Sequence, residues 1–92
     1  MEFEWHDAKA EANYRNHGIS FELAKAVFKD PSAIERLDDR QDYGEQRFVI
    51  IGMGEDERLL FVAYTEREGR IRIISARRAT RYEEADYFRQ NT

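Results

Sequence analysis

Cysteine is absent from the 92 residues, so neither disulfides nor a thiolate zinc site can supplement packing, and the absence agrees with a reducing compartment. Proline occurs once and glycine five times, too little for a linker or a low-complexity segment. No apolar run approaches the ~18 residues that span a bilayer. The opening MEFEWHDAKAEA is too acidic and polar for a signal peptide, so a cytoplasmic protein is expected. There is also no glycine-rich phosphate loop and no His, Cys and carboxylate set at metal-ligand spacing, so no cofactor and no metal is expected. A chain of this length buries only roughly 60% of its unfolded surface, which leaves room for one domain, residues 1–92, with one core. Aromatic residues are what the sequence does have: six Phe, five Tyr and one Trp, each removing a large area from water when buried.

The net charge of -4 speaks against a nucleic-acid ligand, but its distribution speaks differently. Residues 1–65 hold eight Lys or Arg against fourteen Asp or Glu, whereas residues 66–92 hold seven cations against five acidic residues. All seven are Arg, whose planar fork suits bidentate phosphate contact. The C-terminal end thus points to an anionic ligand.

Phe3 and Trp5 alternate with Glu2 and Glu4 as in a short edge strand. Asp7 is placed to cap a helix over Ala8–His17, which Gly18 ends in a left-handed conformation. Ser20 caps a second helix over Phe21–Lys29, stopped by Asp30-Pro31. A short strand is expected over Ala33–Leu37, then the exposed loop DDRQDYGE. RFVIIGM, RLLFVAY and RIRIIS, separated by GEDE and TEREG, predict a three-stranded meander. Thr80 and Glu83 form a capping-box pattern ahead of a last helix. The expected class is α+β: an antiparallel sheet with two N-terminal helices and one C-terminal helix sharing one face, the other face being partly open.

With those elements placed, the segments FEWHDAKAEANYRNHGISFELAKAVFKDP, DDRQDYGEQRFVIIG and AYTEREGRIRIISARRATRYEEADY resemble the BrnT family of type II toxins along nearly the whole chain. The resemblance implies a RelE-like fold and a metal-independent endoribonuclease that cleaves RNA and so inhibits translation. It also implies a BrnA-type ribbon-helix-helix antitoxin as partner, with DNA reached only through that antitoxin. A non-catalytic protein that binds an antitoxin or regulator and tunes its DNA binding is the alternative, and it accounts better for the net acidity.

The candidate residues follow from this reading. Arg77 and Arg78 sit where the last strand meets the last helix, beside orphan backbone donors that suit an anion. If the strand continues through them they point to opposite sides, and otherwise they are surface cations paired with carboxylates. Arg70 and Arg72 share a strand face and either line an RNA groove or pair across strands with Glu66 or Glu68. His17 is a tempting general acid or base, because imidazole is the side-chain type suited to proton transfer near neutral pH, although at a helix C-terminus it can simply meet carbonyls. Tyr43 either stacks on an unpaired base or anchors its loop, and Arg40, Glu45 and Arg47 flank it with phosphate-binding or acid-base groups or with ordinary surface pairs. Tyr64 and Tyr82 are expected in the core with Trp5, Phe21, Phe28, Phe48 and Phe61, His6 at the surface, and Asp38-Asp39 in a solvated turn.

Overall fold

Seven consecutive residues, Leu59 to Thr65, are buried in the middle of the molecule. A strand with both faces apolar needs cover on both sides, and that requirement organises the rest. The computed structural model describes residues 1–91. In chain order it has β1 (Phe3–Glu4), α1 (Asp7–His17), α2 (Phe21–Ala24) continued by a 3₁₀ segment Lys25–Lys29, and β2 (Ile34–Asp38). There follow β3 (Arg47–Met53), β4 (Leu59–Arg67), β5 (Arg70–Arg78) and α3 (Arg81–Gln90). The sheet order is β1-β5-β4-β3-β2.

The meander is antiparallel as expected, but β1 joins it parallel to β5, with Phe3 opposite Ile71 and Glu4 opposite Arg72. The sheet is therefore mixed. The chain leaves β1 through the helices, starts the meander at the far edge, and after four strands comes back beside β1 in the same direction.

The helices do not share one face. Ile19, Phe21, Ala24 and Val27 pack with Ile50, Leu60, Val62, Tyr64, Ile73 and Ala76 on one side of the sheet. On the other side Tyr87 of α3 packs with Val49, Ile51, Leu59, Phe61 and Ala63. The unbroken apolar run LLFVAY, which lacks polar alternation, is the cause, since each face of β4 needs its own layer. Trp5 lies edge-on to Phe21 on the first side, ring centroids 5.8 Å apart. Tyr64 is buried there too, and its hydroxyl donates to Glu35. Tyr82, expected in the core, is 85% exposed: the turn of α3 that carries it lies outside the layer that Tyr87 closes.

Local rules place the helix ends. His6, rather than Asp7, caps α1, its Nδ1 accepting from the Lys9 N–H at 3.4 Å, while Asp7 is the first helical residue and sets its charge against the N-terminal dipole. Gly18 ends the helix at φ 71°, and Ser20 accepts from the Leu23 N–H as its position predicts. The second helix is α-helical only to Ala24 and tightens to 3₁₀ before Asp30.

Two polar side chains, Asn13 buried and Asp30 half-buried, tie layers together. Asn13 of α1 donates to the carbonyls of Ile19 and Ala76 at 3.0 and 2.8 Å and accepts from the Ala76 N–H at 3.1 Å. Asp30 accepts from the Met53 N–H and the Tyr87 hydroxyl, both at 2.8 Å, joining β3 to α3. Gly52 allows that approach, since a Cβ there would meet Val27 Cγ1 at 3.0 Å and Asp30 Oδ2 at 3.2 Å. Asn13→Ala is expected to lower stability by about 3 kcal/mol, because it strands buried backbone groups that no water reaches. Urea denaturation checks this, and an unchanged midpoint would show those groups finding other partners.

Candidate nucleic-acid interface

Sheet register builds the site on the face that α3 covers only in part. Paired residues share a face, so three rungs cross it. Asp38 pairs with Arg47 and Thr65 with Arg72 at the level of one rung. Arg36, Val49, Ala63 and Ser75 form the next, and Ile34, Ile51, Phe61 and Arg77 the third. The middle rung has short side chains at its centre and Arg36 at its β2 end, and the rungs either side carry Arg47, Arg72 and Arg77. A bulge between Ala63 and Tyr64 shifts β5 by one residue, which keeps Arg72 and Arg77 on the same face despite their odd separation. Without it, the strand alternation would put one of them among the core residues packed under α1.

A cavity of about 240 Å³ lies over this floor, with Arg36, Asp38 and Arg40 on one wall and Phe61, Arg77 and Glu83 on the other. The Arg77 guanidinium lies over Phe61, its Cζ 4.1 Å from the ring centroid, as cation–π attraction favours. Its Nη1 and Nη2 donate to the two oxygens of Glu83 at 2.8 and 2.9 Å, and Nη1 also donates to the Arg78 carbonyl. Glu83 closes the capping box of α3, accepting from the Thr80 N–H at 2.8 Å. Burial pushes the Glu83 carboxyl upward, but the Arg77 fork and the Thr80 N–H outweigh this and hold it below the usual carboxylate range.

The opposite wall repeats the arrangement. Asp38, its side chain only 3% exposed, accepts from Arg40 Nε and Nη2 at 2.7 and 2.8 Å and from the Tyr43 hydroxyl at 3.1 Å. Tyr43 is thereby anchored, and the Arg47 guanidinium stacks on its ring at 4.2 Å while donating to Glu45. The Arg40 fork holds the Asp38 carboxyl at about 2 against the cost of its burial. At the β1 edge Arg72 donates to Glu4 at 2.6 Å, and Arg70 pairs with Glu2 and Glu4, not with Glu66 or Glu68. Parallel pairing with β1 is what supplies those partners.

Of the residues singled out from sequence, Arg40, Tyr43, Arg47, Arg70, Arg72 and Arg77 are brought to this face. β5 persists through Arg78, whose register partner is Leu60 of the other face, so Arg78 separates from Arg77 and is exposed. His17 ends α1, on the far side of the sheet, and is exposed there. Asp38 leaves the solvated turn assigned to it. Sequence reading passed over Arg36, the Phe61 platform and the attachment of Glu83 to Arg77. Arg36 and Asp38 stand two apart on one strand, a spacing that puts both on one side, but the side itself depends on non-local pairing.

Asp38 should make stability sensitive to acid. A carboxylate whose folded pKa is depressed contributes above its unfolded value, 3.8, and that contribution is lost as pH falls toward about 2. Arg40 is solvent-exposed and screened, so about 1 kcal/mol is the expected size. Asp38→Asn should therefore be less stable than the parent at pH 7, and the gap should close at pH 2. Chemical denaturation of both proteins across that range measures it, and a constant gap would contradict it.

Comparison with solved structures gives the crystal structure of the Brucella abortus ribonuclease toxin BrnT, with a TM-score of 0.66 over 88% of this chain and 99% of that one. The two share 20% of their residues, so the likeness is one of fold. Comparison with curated proteins finds no match. The family described as "Ribonuclease toxin, BrnT, of type II toxin-antitoxin system" matches residues 5–83. With that match over most of its length, and with the same fold, the chain belongs to the BrnT family of type II ribonuclease toxins.

Proposed function

We propose that this protein is a metal-independent endoribonuclease that inhibits translation, is neutralised by a BrnA-type ribbon-helix-helix antitoxin, and meets DNA only through that partner. The observation that carries the reading is the partly uncovered sheet face on which Arg77 lies over Phe61 beside the cavity. Arg40, Arg47, Arg70 and Arg72 surround it and attract the phosphate backbone of RNA. Tyr43, backed by the Arg47 guanidinium, offers its ring to an unpaired base.

The chemistry that suits these residues takes the ribose 2′-hydroxyl as nucleophile. Its oxygen gives up its proton to solvent water and attacks the adjacent phosphorus, the bond to the 5′-oxygen breaks, and the departing oxygen takes up a proton from water. A 2′,3′-cyclic phosphate and a 5′-hydroxyl remain. Charge grows on the phosphoryl oxygens along the way, and Arg77 is the cation placed to stabilise it. Among the described residues no group of three or more His, Cys, Asp or Glu is placed to hold a metal ion. No helix among them is long and apolar enough to cross a membrane.

Expression of the free protein is expected to arrest growth, and co-expression of the neighbouring gene to restore it. Cleavage of RNA by the purified chain should survive EDTA and leave cyclic or 3′-phosphate ends. Activity that needs Mg²⁺ and leaves 3′-hydroxyl ends would reject this chemistry. Arg77→Ala should lower the rate about a hundredfold or more with the fold intact, since it removes a transition-state charge partner. His17→Ala should retain most activity, because α1 lies on the other side of the sheet. Growth unaffected at verified soluble expression would favour a non-catalytic binding protein instead.

A further inference from the structure

The contact between Arg77 and Glu83 has two possible roles at an RNA-cleaving site. The carboxylate either competes with phosphate for the guanidinium or holds it in place for phosphate. The count of donors separates these. A guanidinium has five N–H groups. Both on Nη1 are engaged, by Glu83 and by the Arg78 carbonyl, and one on Nη2 is engaged by Glu83. The Nε–H and the second Nη2 N–H have no partner among the described residues, and together they form the side-on edge of the fork, the edge that takes an oxyanion through two parallel hydrogen bonds. Glu83 thus occupies the far end of Arg77 and leaves a complete two-donor edge available.

Glu83 is also poorly placed to give way. Its side chain is 16% exposed, and it is held at once by Arg77 and by the Thr80 N–H, in the capping box that starts α3. Displacing it would break three charge-assisted hydrogen bonds, two from Arg77 and one from the Thr80 N–H, and open the helix end. Phe61 under the guanidinium plane and the Arg78 carbonyl at its end restrain the remaining motions of Arg77.

We propose that Glu83 is a positioning residue for RNA cleavage, locking Arg77 on Phe61 so that the open Nε/Nη2 edge receives the scissile phosphodiester. The proposal rests on the reading of this face as the ribonuclease site. The arrangement has a drawback that can be measured, because the carboxylate also repels the phosphate it helps to orient. Removing its charge therefore weakens catalysis without weakening binding.

Purified full-length protein, assayed with a single-stranded RNA oligonucleotide bearing a fluorophore and a quencher, tests this. In Glu83→Gln, kcat should fall about tenfold to a hundredfold, as misplacement of a catalytic group does, while KM stays level or drops. Thr80→Ala supplies the control for helix capping: it loses the hydroxyl that accepts from the Glu83 N–H but keeps the Thr80 backbone N–H. Its melting temperature should fall by about 5 °C with kcat unchanged at a temperature where it is folded. Wild-type kcat in Glu83→Gln, or a higher one, overturns the proposal and makes Glu83 a bystander or a competitor. A loss of activity in Glu83→Gln that only tracks its folded fraction overturns it too. Arg77→Ala distinguishes failure of the positioning role from failure of the site. If that variant is inactive while Glu83→Gln is unimpaired, the positioning role alone fails. If Arg77→Ala is fully active, the assignment of the face fails and the proposal with it.

Discussion

Burial of β4 on both faces is the constraint from which the other placements follow. Leu60, Val62 and Tyr64 need one covering layer and Leu59, Phe61 and Ala63 need another. A chain this short has few elements to offer, so α1 and α2 take the first side and α3 alone takes the second. One helix of ten residues cannot cover a five-stranded sheet. Small residues and arginines finish the second face where the helix does not reach: Ala63 and Ser75 need little cover, and Arg77 lays its own side chain over Phe61. The surface that bears the candidate site is, in this sense, what remains when a small protein runs out of helix.

The arginines on that surface are not loose charges. Arg40 is held by Asp38, Arg47 by Glu45, Arg72 by Glu4 and Arg77 by Glu83. Each pairing lowers the local charge and fixes the geometry, so the face trades long-range attraction for orientation. A net charge of -4 is in this way compatible with a face rich in arginine. Several of the acidic residues serve as holders for the cations, and others stand in the exposed Glu55-Asp56-Glu57 turn between β3 and β4.

Much of the fold was legible because it is written in local chemistry. Gly18, Ser20, Asp30-Pro31 and the Thr80–Glu83 box place helix ends within a residue or two, and the β-branched runs place β3 to β5. The misplacements are non-local. That β1 lies parallel to β5 depends on where the meander ends, and that α3 lies opposite α1 depends on both faces of β4 being apolar, a pattern seen in the sequence without its consequence. The candidate site divides in the same way. Residue types and alternation were enough to single out Arg40, Tyr43, Arg47, Arg70, Arg72 and Arg77. Register across β4 and β5, with its bulge, is what sets Phe61 under Arg77, parts Arg78 from it and leaves His17 behind the sheet. Asp38 misleads because the polar run after it reads as solvated loop, whereas Arg40 and Tyr43 from that same run turn back and donate to its carboxylate.

The position of Trp5 has an optical consequence. The indole is the only one in the chain, and it packs against Phe21 on the side of the sheet away from the arginines. Its emission therefore reports whether the α1 and α2 layer has assembled and is insulated from whatever settles on the opposite face. The molecule thus separates two signals by geometry: intrinsic fluorescence for folding, and a label on the ligand for occupancy, read from the same cuvette.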